Sequence, residues 1–135
     1  MAAIGRFQQG DDIFHAKVVD GELFRLHGDV FGSPSFDKKA MPRKGIRILT
    51  PVIPSKIIAV GLNYADHAAE STMPIPKEPI VFMKTVGCAV GAHHAVVLPQ
   101  GSVKADWEVE LGIVIGSRAR YVAQADALAH VAGYC

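Results

Sequence analysis

The sequence has 135 residues, enough for one domain or for one small domain with part of another. Its 14 basic and 13 acidic residues nearly balance and form no basic stripe, which argues against a nucleic-acid partner. Two cysteines give no disulfide framework, the N-terminus lacks the pattern of a secretory signal, and no apolar run could cross a bilayer, so we expect a cytoplasmic protein with no membrane partner.

Residues 1–54 are expected to form short strands joined by turns. The stretches GRFQQ, DIFHAKVV and ELFRLHG have strand lengths and mix apolar with polar residues. Asp20 and Gly21 separate the last two stretches, and an Asp-Gly pair is typical of a type I′ hairpin because both turn positions need positive φ. The next segment, GSPSFDKKAMPRKG, is rich in turn residues and predicts an exposed connection.

The pattern changes after TPVIPS. KIIAVG (56–61) and PIVFMK predict strands, and NYADHAAES (63–71) predicts a helix too short to be stable without tertiary contacts. The three prolines of STMPIPKEP require a loop between that helix and the second strand. VGCAVGAHHAVVLPQG then predicts one or two short strands broken by glycines.

The last segment, AQADALAHVAGY, is predicted to be a helix. Ala127, Leu128 and Val131 lie at helical spacing, and Gly133 is placed where a glycine would end the helix. Because nothing follows on which such a helix could pack, the sequence looks cut rather than finished.

The stretch DWEVELGIVIG (106–116) is predicted to be a strand with two unlike faces. Because successive side chains alternate, one face is entirely apolar and the other begins with Asp106, Glu108 and Glu110. Two carboxylates on one face can converge on a hard divalent ion such as Mg²⁺. The pattern alone favours the other interpretation, a half-buried strand whose acidic face lies in water.

His67 and Glu70 lie three residues apart on the predicted helix and are therefore neighbours on one side of it. A glutamate can hold a histidine in one tautomer and raise its basicity, as a general base requires. An exposed pair without a catalytic role is the commoner case. The proline-rich loop that follows favours a mobile lid at this place.

Two further candidates are weaker. His93 and His94 are adjacent, so on a strand they would point to opposite faces and could not easily share an ion. Cys88 has no catalytic motif around it and is expected to be a small buried residue rather than a nucleophile.

Taken in order, KIIAVGLNYADHAAE, PIVFMK, VVLPQGSVKADWEVELGIVIG and ALAHVAGY resemble the fumarylacetoacetate hydrolase family. The resemblance is close over residues 55–135, and residues 1–54 resemble more loosely the small β-rich region that precedes the catalytic part of many bacterial members. It implies an α+β, mainly β fold: a mixed β-sandwich or β-roll, incomplete in this sequence. Residues 1–54 would be a small N-terminal domain, and 55–135 the first part of a truncated catalytic domain.

The resemblance also implies site residues. Glu108 and Glu110 match the family's Glu-x-Glu pair, two ligands of an acidic triad that binds Mg²⁺ or Mn²⁺ in most members. His67 and Glu70 match its Asn-Tyr-x-x-His-x-x-Glu segment, whose dyad activates water in hydrolytic members. Lys84 matches a Phe-x-Lys segment, where a lysine facing the substrate and a solvated lysine are equally expected.

The implied activity is hydrolysis of a C–C bond in a small keto-acid of the acylpyruvate type, or decarboxylation or isomerisation of a similar acid, by a homodimer. The family's third metal ligand is an aspartate after the Gly-Tyr motif. Here Gly133 and Tyr134 are present, but the sequence ends at Cys135. The alternative is therefore a truncated, catalytically inactive piece with only a binding or assembly role.

Overall fold

The structure is a computed structural model that describes residues 3–135, and these form one five-stranded sheet, two two-stranded ribbons and little helix. The strands are β1 (Ala3–Gln9), β2 (Asp12–Val19), β3 (Glu22–His27), β4 (Ser35–Phe36), β5 (Ile46–Ile48), β6 (Ile57–Gly61), β7 (Ile80–Lys84), β8 (Ile113–Ile115) and β9 (Val131–Tyr134). The α-helix α1 is Ala65–Glu70, and 3₁₀ helices are Val86–Cys88 and Gln124–His130. This content confirms the predicted α+β, mainly β class.

The N-terminal sheet is antiparallel, with strand order β4-β3-β2-β1-β5. The hairpin predicted between β2 and β3 is confirmed, since Asp20 and Gly21 both have positive φ, 49° and 81°. The predicted connection after β3 contains the short edge strand β4, and Met41 forms an isolated bridge with Leu23. Most of the remaining residues of this connection are exposed.

The main core lies on one face of this sheet. Phe7 and Phe14 are directly opposite each other in the β1–β2 ladder, so their rings share a face, with centroids 5.9 Å apart. Ala16 and Leu23 complete the buried cluster. The guanidinium of Arg25 lies over the ring of Phe14, 4.2 Å from its centroid, and covers its edge of the cluster.

The rest of the chain forms two separate antiparallel ribbons. β6 and β7 pair over five residues, from Ile57 with Lys84 to Gly61 with Ile80. β8 pairs with β9 over a shorter ladder that contains an irregularity between Val114 and Ile115. No helix in residues 3–135 is long and apolar enough to cross a membrane.

Two glycines of the chain after β5, Gly91 and Gly116, lie very close to atoms of other segments. Gly91 is buried, and a Cβ there would lie 2.5 Å from the carbonyl oxygen of Ile48 in β5. At Gly116 a Cβ would lie 2.6 Å from that of Ala132 and 3.4 Å from the ring of Phe31. A side chain at either position would collide with these atoms, so glycine is the residue that fits there.

The predicted C-terminal helix is wrong. Gln124–His130 is a 3₁₀ helix, and Val131–Tyr134 is the strand β9. Helical spacing is a weak signal over so few residues, and pairing with β8 satisfies the backbone groups of Val131–Tyr134 instead.

The strands predicted in VGCAVGAHHAVVLPQG are also wrong. Residues 86–88 form a 3₁₀ helix, and residues 89–101 contain no strand. No other described strand offers a backbone partner there, and an unpaired strand leaves its donors and acceptors unsatisfied. Cys88 lies in the 3₁₀ helix and is exposed, so its expected burial is also wrong.

Candidate active site

The helix α1 carries the two residues predicted to handle protons. β6 ends at Gly61, and Leu62 redirects the chain with a positive φ of 48°. Tyr64 is the N-cap residue but gives the helix no side-chain hydrogen bond. Ala68 is the buried residue of the helix and fixes it to the fold. The confirmed helix is therefore held by tertiary contact rather than by its own capping.

His67 and Glu70 both lie on the exposed part of α1. Their three-residue spacing makes them neighbours on its surface. Among the side chains of residues 3–135, no ion pair joins them. The structure therefore leaves both side chains accessible to solvent.

A shallow hollow of about 200 Å³ lies beside the residues that lead into α1. It is lined by residues 60–63 at the end of β6 and by residues 75–79 of the proline-rich loop, with Asn63, Lys77 and Glu78 as its polar lining. Pockets for drug-sized ligands are usually ~300–1,000 Å³, so this hollow suits only a small molecule.

Sequence reasoning did not single out Asn63 or Lys77. The pairing of the two predicted strands that flank them could have shown that these residues lie close together. Because Gly61 pairs with Ile80, everything between these residues is one long connection at the same end of the ribbon. The residues that lead into the helix and the proline-rich loop therefore lie near each other, and Asn63 and Lys77 line one hollow.

Lys84 lies at the other end of this ribbon. It is the last residue of β7, is exposed, and pairs with Ile57 at the start of β6. The structure therefore separates Lys84 along the ribbon from the residues that lead into α1.

Glu108 and Glu110 are exposed, in a segment without regular structure. The prediction of a strand over 106–116 is correct only for Ile113–Ile115. Trp107 and Val109, predicted on a buried face, are 82% and 81% exposed.

The strand β8 is short because its pairing with β9 extends over only a few residues. Gly112 and Cys135 exchange both backbone hydrogen bonds, at 2.8 and 2.9 Å, beside the paired residues of β8 and β9. Among residues 3–135, no strand pairs with the segment before Gly112. A strand needs such a partner for its backbone groups.

The donor atoms fit a hard divalent ion only in part. The carboxylates of Glu108 and Glu110 are the oxygen ligands that Mg²⁺ and Mn²⁺ take. Within residues 3–135 there is no group of three or more His, Cys, Asp or Glu side chains that could hold a metal ion, and the pair His93 and His94 is in no such group either. These two glutamates could thus supply two ligands, with further oxygens coming from elsewhere.

A serine–histidine pair that sequence reasoning missed lies at the end of β8. Ser117 Oγ is 2.8 Å from Nδ1 of His130, and the backbone N–H of Gly116 donates to the carbonyl of His130. The two hydrogen bonds tie the end of the second 3₁₀ helix to β8. Ser117 is exposed and no further partner orients the ring among the described residues, so the pair is structural.

The sequence of this chain is similar to that of a known protein family and of several individual proteins. The family description "Fumarylacetoacetate (FAA) hydrolase C-terminal" matches residues 56–135. The mitochondrial oxaloacetate tautomerase of Bos taurus is 48% identical over 95 residues, which are 70% of this chain and 30% of that protein. An uncharacterized protein of Archaeoglobus fulgidus is 41% identical over 132 residues, or 97% of this chain and 49% of that protein.

The fold is also similar to that of a solved structure. The 5-carboxymethyl-2-hydroxymuconate delta-isomerase of Mycobacterium smegmatis superposes with a TM-score of 0.82 at 32% identity, over 99% of this chain and 52% of that one. The predicted fold type is thereby confirmed. The chain spans about a third to a half of the length of these relatives.

Proposed function

The chain belongs to the fumarylacetoacetate hydrolase family, and we propose that it functions as a divalent-metal-dependent enzyme acting on small keto-acids. The observation that carries the proposal is the family match over residues 56–135, which contains every candidate site residue. Those residues are His67, Glu70, Lys84, Glu108 and Glu110. Relatives named as a tautomerase and an isomerase support an enzymatic role.

The reaction proposed first is movement of a proton within a keto-acid. Both named activities, the tautomerisation of oxaloacetate and the isomerisation of a hydroxymuconate, are of this kind. Hydrolysis of an acylpyruvate-type C–C bond and decarboxylation are related outcomes, because each of them also produces an enolate of the same type of acid.

In this proposal His67 takes and returns the proton. An imidazole can take up a proton on one ring nitrogen and release it again, which suits a group that must act as both base and acid. Glu70, one helical turn away, orients the ring and stabilises its protonated form. The hollow beside α1, lined by Asn63 and Lys77, is the proposed place of the substrate.

Glu108 and Glu110 are proposed to hold Mg²⁺ or Mn²⁺. When bound, such an ion polarises a carbonyl and stabilises the charge of an enolate. The two glutamates would position the ion and offset its charge. Lys84 lies at the other end of the β6–β7 ribbon from the hollow, which favours a solvated lysine over one that faces the substrate. The proline-rich loop 75–79 would close over the small acid and exclude water.

The organisation of the whole protein is part of the same proposal. Residues 1–54 would form a small N-terminal domain, supported by the pairing of all five strands of the first sheet within these residues, and 55–135 would belong to the catalytic domain. We propose a cytoplasmic homodimer. The alternative, an inactive piece with a binding role, is kept because the chain matches only part of each relative.

Oxaloacetate is the first substrate to test. Its enol absorbs in the ultraviolet, so tautomerisation is followed as decay of that absorbance with Mg²⁺ or Mn²⁺ present. The assay is run on this chain and on the product of the uninterrupted coding sequence, with and without a chelator. Turnover that chelation leaves unchanged would contradict the metal assignment. A stop codon directly after Cys135, with no turnover, would favour the inactive alternative.

A further inference from the structure

A second hollow, of about 220 Å³, lies on the N-terminal sheet, on the face opposite the core. Arg6 in β1 and His15 in β2 line it and are directly opposite each other in the ladder, so they share a face. Their neighbours Phe7 and Phe14 point the other way, into the core. The remaining walls are apolar: Val30, Phe31, Val52 and Ile53.

The charge in this hollow has one sign. Arg6 lines it and no acidic side chain does. In the described part of the chain, the guanidinium of Arg6 takes part in neither of the ion pairs and in none of the side-chain hydrogen bonds. A guanidinium is always charged, and its forked N–H groups match the two oxygens of a carboxylate.

His15 adds a polar group without a partner. Its Nε2 is shielded from solvent and makes no hydrogen bond within residues 3–135. Buried side-chain nitrogens are nearly always hydrogen-bonded, so this one is unusual. A ligand oxygen would reach it after a small movement of the ring or of the side chain that shields it.

We propose that this hollow binds a small carboxylate with a short apolar tail: Arg6 binds the carboxylate, His15 donates to one of its oxygens, and the apolar walls hold the tail. The volume corresponds to roughly seven water molecules at ~30 Å³ each, which suits a branched acid of a few carbons. The lining residues all precede residue 56, outside the stretch that the family description matches. The site is therefore separate from the proposed active site.

The test compares two probes of nearly the same shape, isovalerate and isovaleramide, titrated into ¹⁵N-labelled protein and followed by NMR. Isovalerate should shift amide signals of β1 and β2 around Arg6 and His15. Isovaleramide lacks the charge and should bind at least about tenfold more weakly. Equal binding of the two probes would overturn the proposal, as would shifts confined to α1 or to residues 106–112.

Three variants test whether the charge of Arg6 is responsible for isovalerate binding. Arg6→Gln should weaken isovalerate binding by about tenfold, and Arg6→Lys, which keeps the charge but loses the fork, should lie between. Lys39→Gln removes one positive charge from an exposed loop and should bind isovalerate like the parent chain. Circular dichroism checks that each variant folds. If Arg6→Gln is folded and binds isovalerate unchanged, the site does not exist.

Discussion

The proposed proton-handling residues stand on a helix with a single buried anchor. Ala68 packs inward, while His67 and Glu70 remain on the exposed side. The preceding residue Leu62 has a positive φ, a conformation that is unfavourable for a residue with a branched side chain. Strain next to a weakly anchored helix favours a site that adjusts when substrate binds.

Replacing His67 by asparagine should lower turnover by about 10²–10⁴-fold, because the general base is lost while a similar polar volume remains. Mn²⁺ affinity, measured by calorimetry, should not change. Asp66→Asn in the same helix is the matched control and should retain turnover. Loss of Mn²⁺ binding in His67→Asn would show that His67 acts on the metal instead.

Replacing Glu108 or Glu110 by glutamine should lower Mn²⁺ affinity by at least about tenfold, because each variant removes one charged oxygen ligand. Electron paramagnetic resonance of free Mn²⁺ measures this without an activity assay. Glu78→Gln, a charge change in the proline-rich loop, should leave the affinity unchanged. If all three variants bind Mn²⁺ alike, the metal lies elsewhere.

At the scale of elements, antiparallel hairpins and the short helix were predictable from the sequence. Their signals are local: the Asp20-Gly21 turn, and the spacing of His67 and Glu70 within one helical turn. The state of Glu108 and Glu110 was not predictable, because a strand exists only where a second strand faces it. Spacing along one segment contains no information about that partner.

The close contact between Gly91 and β5 should require glycine at position 91. In Gly91→Ala the new Cβ would lie 2.5 Å from the carbonyl oxygen of Ile48. The three atoms nearest to it all belong to the backbone and cannot move aside easily, so the variant should lose on the order of 1–3 kcal/mol of unfolding free energy. Urea unfolding measures the change.

Gly87→Ala is the matched control for that variant. A Cβ at Gly87 would meet nothing within 4 Å, and its φ is not positive, so alanine should be neutral or slightly stabilising. Equal midpoints for the two variants would mean that the approach of Gly91 to β5 does not contribute to stability.

At the scale of the whole molecule, burial is unevenly distributed. Five of the six buried hydrophobic residues of the described chain lie in the N-terminal sheet, and the sixth is Ala68. Large apolar side chains of β6, β7 and the segment before β8 are exposed, among them Ile58, Met83 and Trp107. The relatives, two to three times as long, have further polypeptide with which such surfaces could pack.

Trp107 offers a direct measure of this exposure, because it is the only tryptophan in the sequence and is 82% exposed. In this chain its fluorescence should resemble that of a tryptophan in water and be quenched by acrylamide almost as strongly as in urea. In the product of the uninterrupted coding sequence, if that is longer, quenching should fall. Shielded emission from this chain alone would contradict the exposure described.

The strand pairings have a kinetic consequence. In the N-terminal sheet, β1, β2 and β3 each pair with the next strand along the chain, and the widest-spaced contact, between Phe7 and Ile48, still closes within the first part of the chain. Short-range antiparallel pairing forms quickly. The N-terminal sheet can therefore fold on the ribosome while the segment with Glu108 and Glu110 is still being synthesised. The Arg6–His15 hollow would therefore form before the proposed metal ligands Glu108 and Glu110 are synthesised.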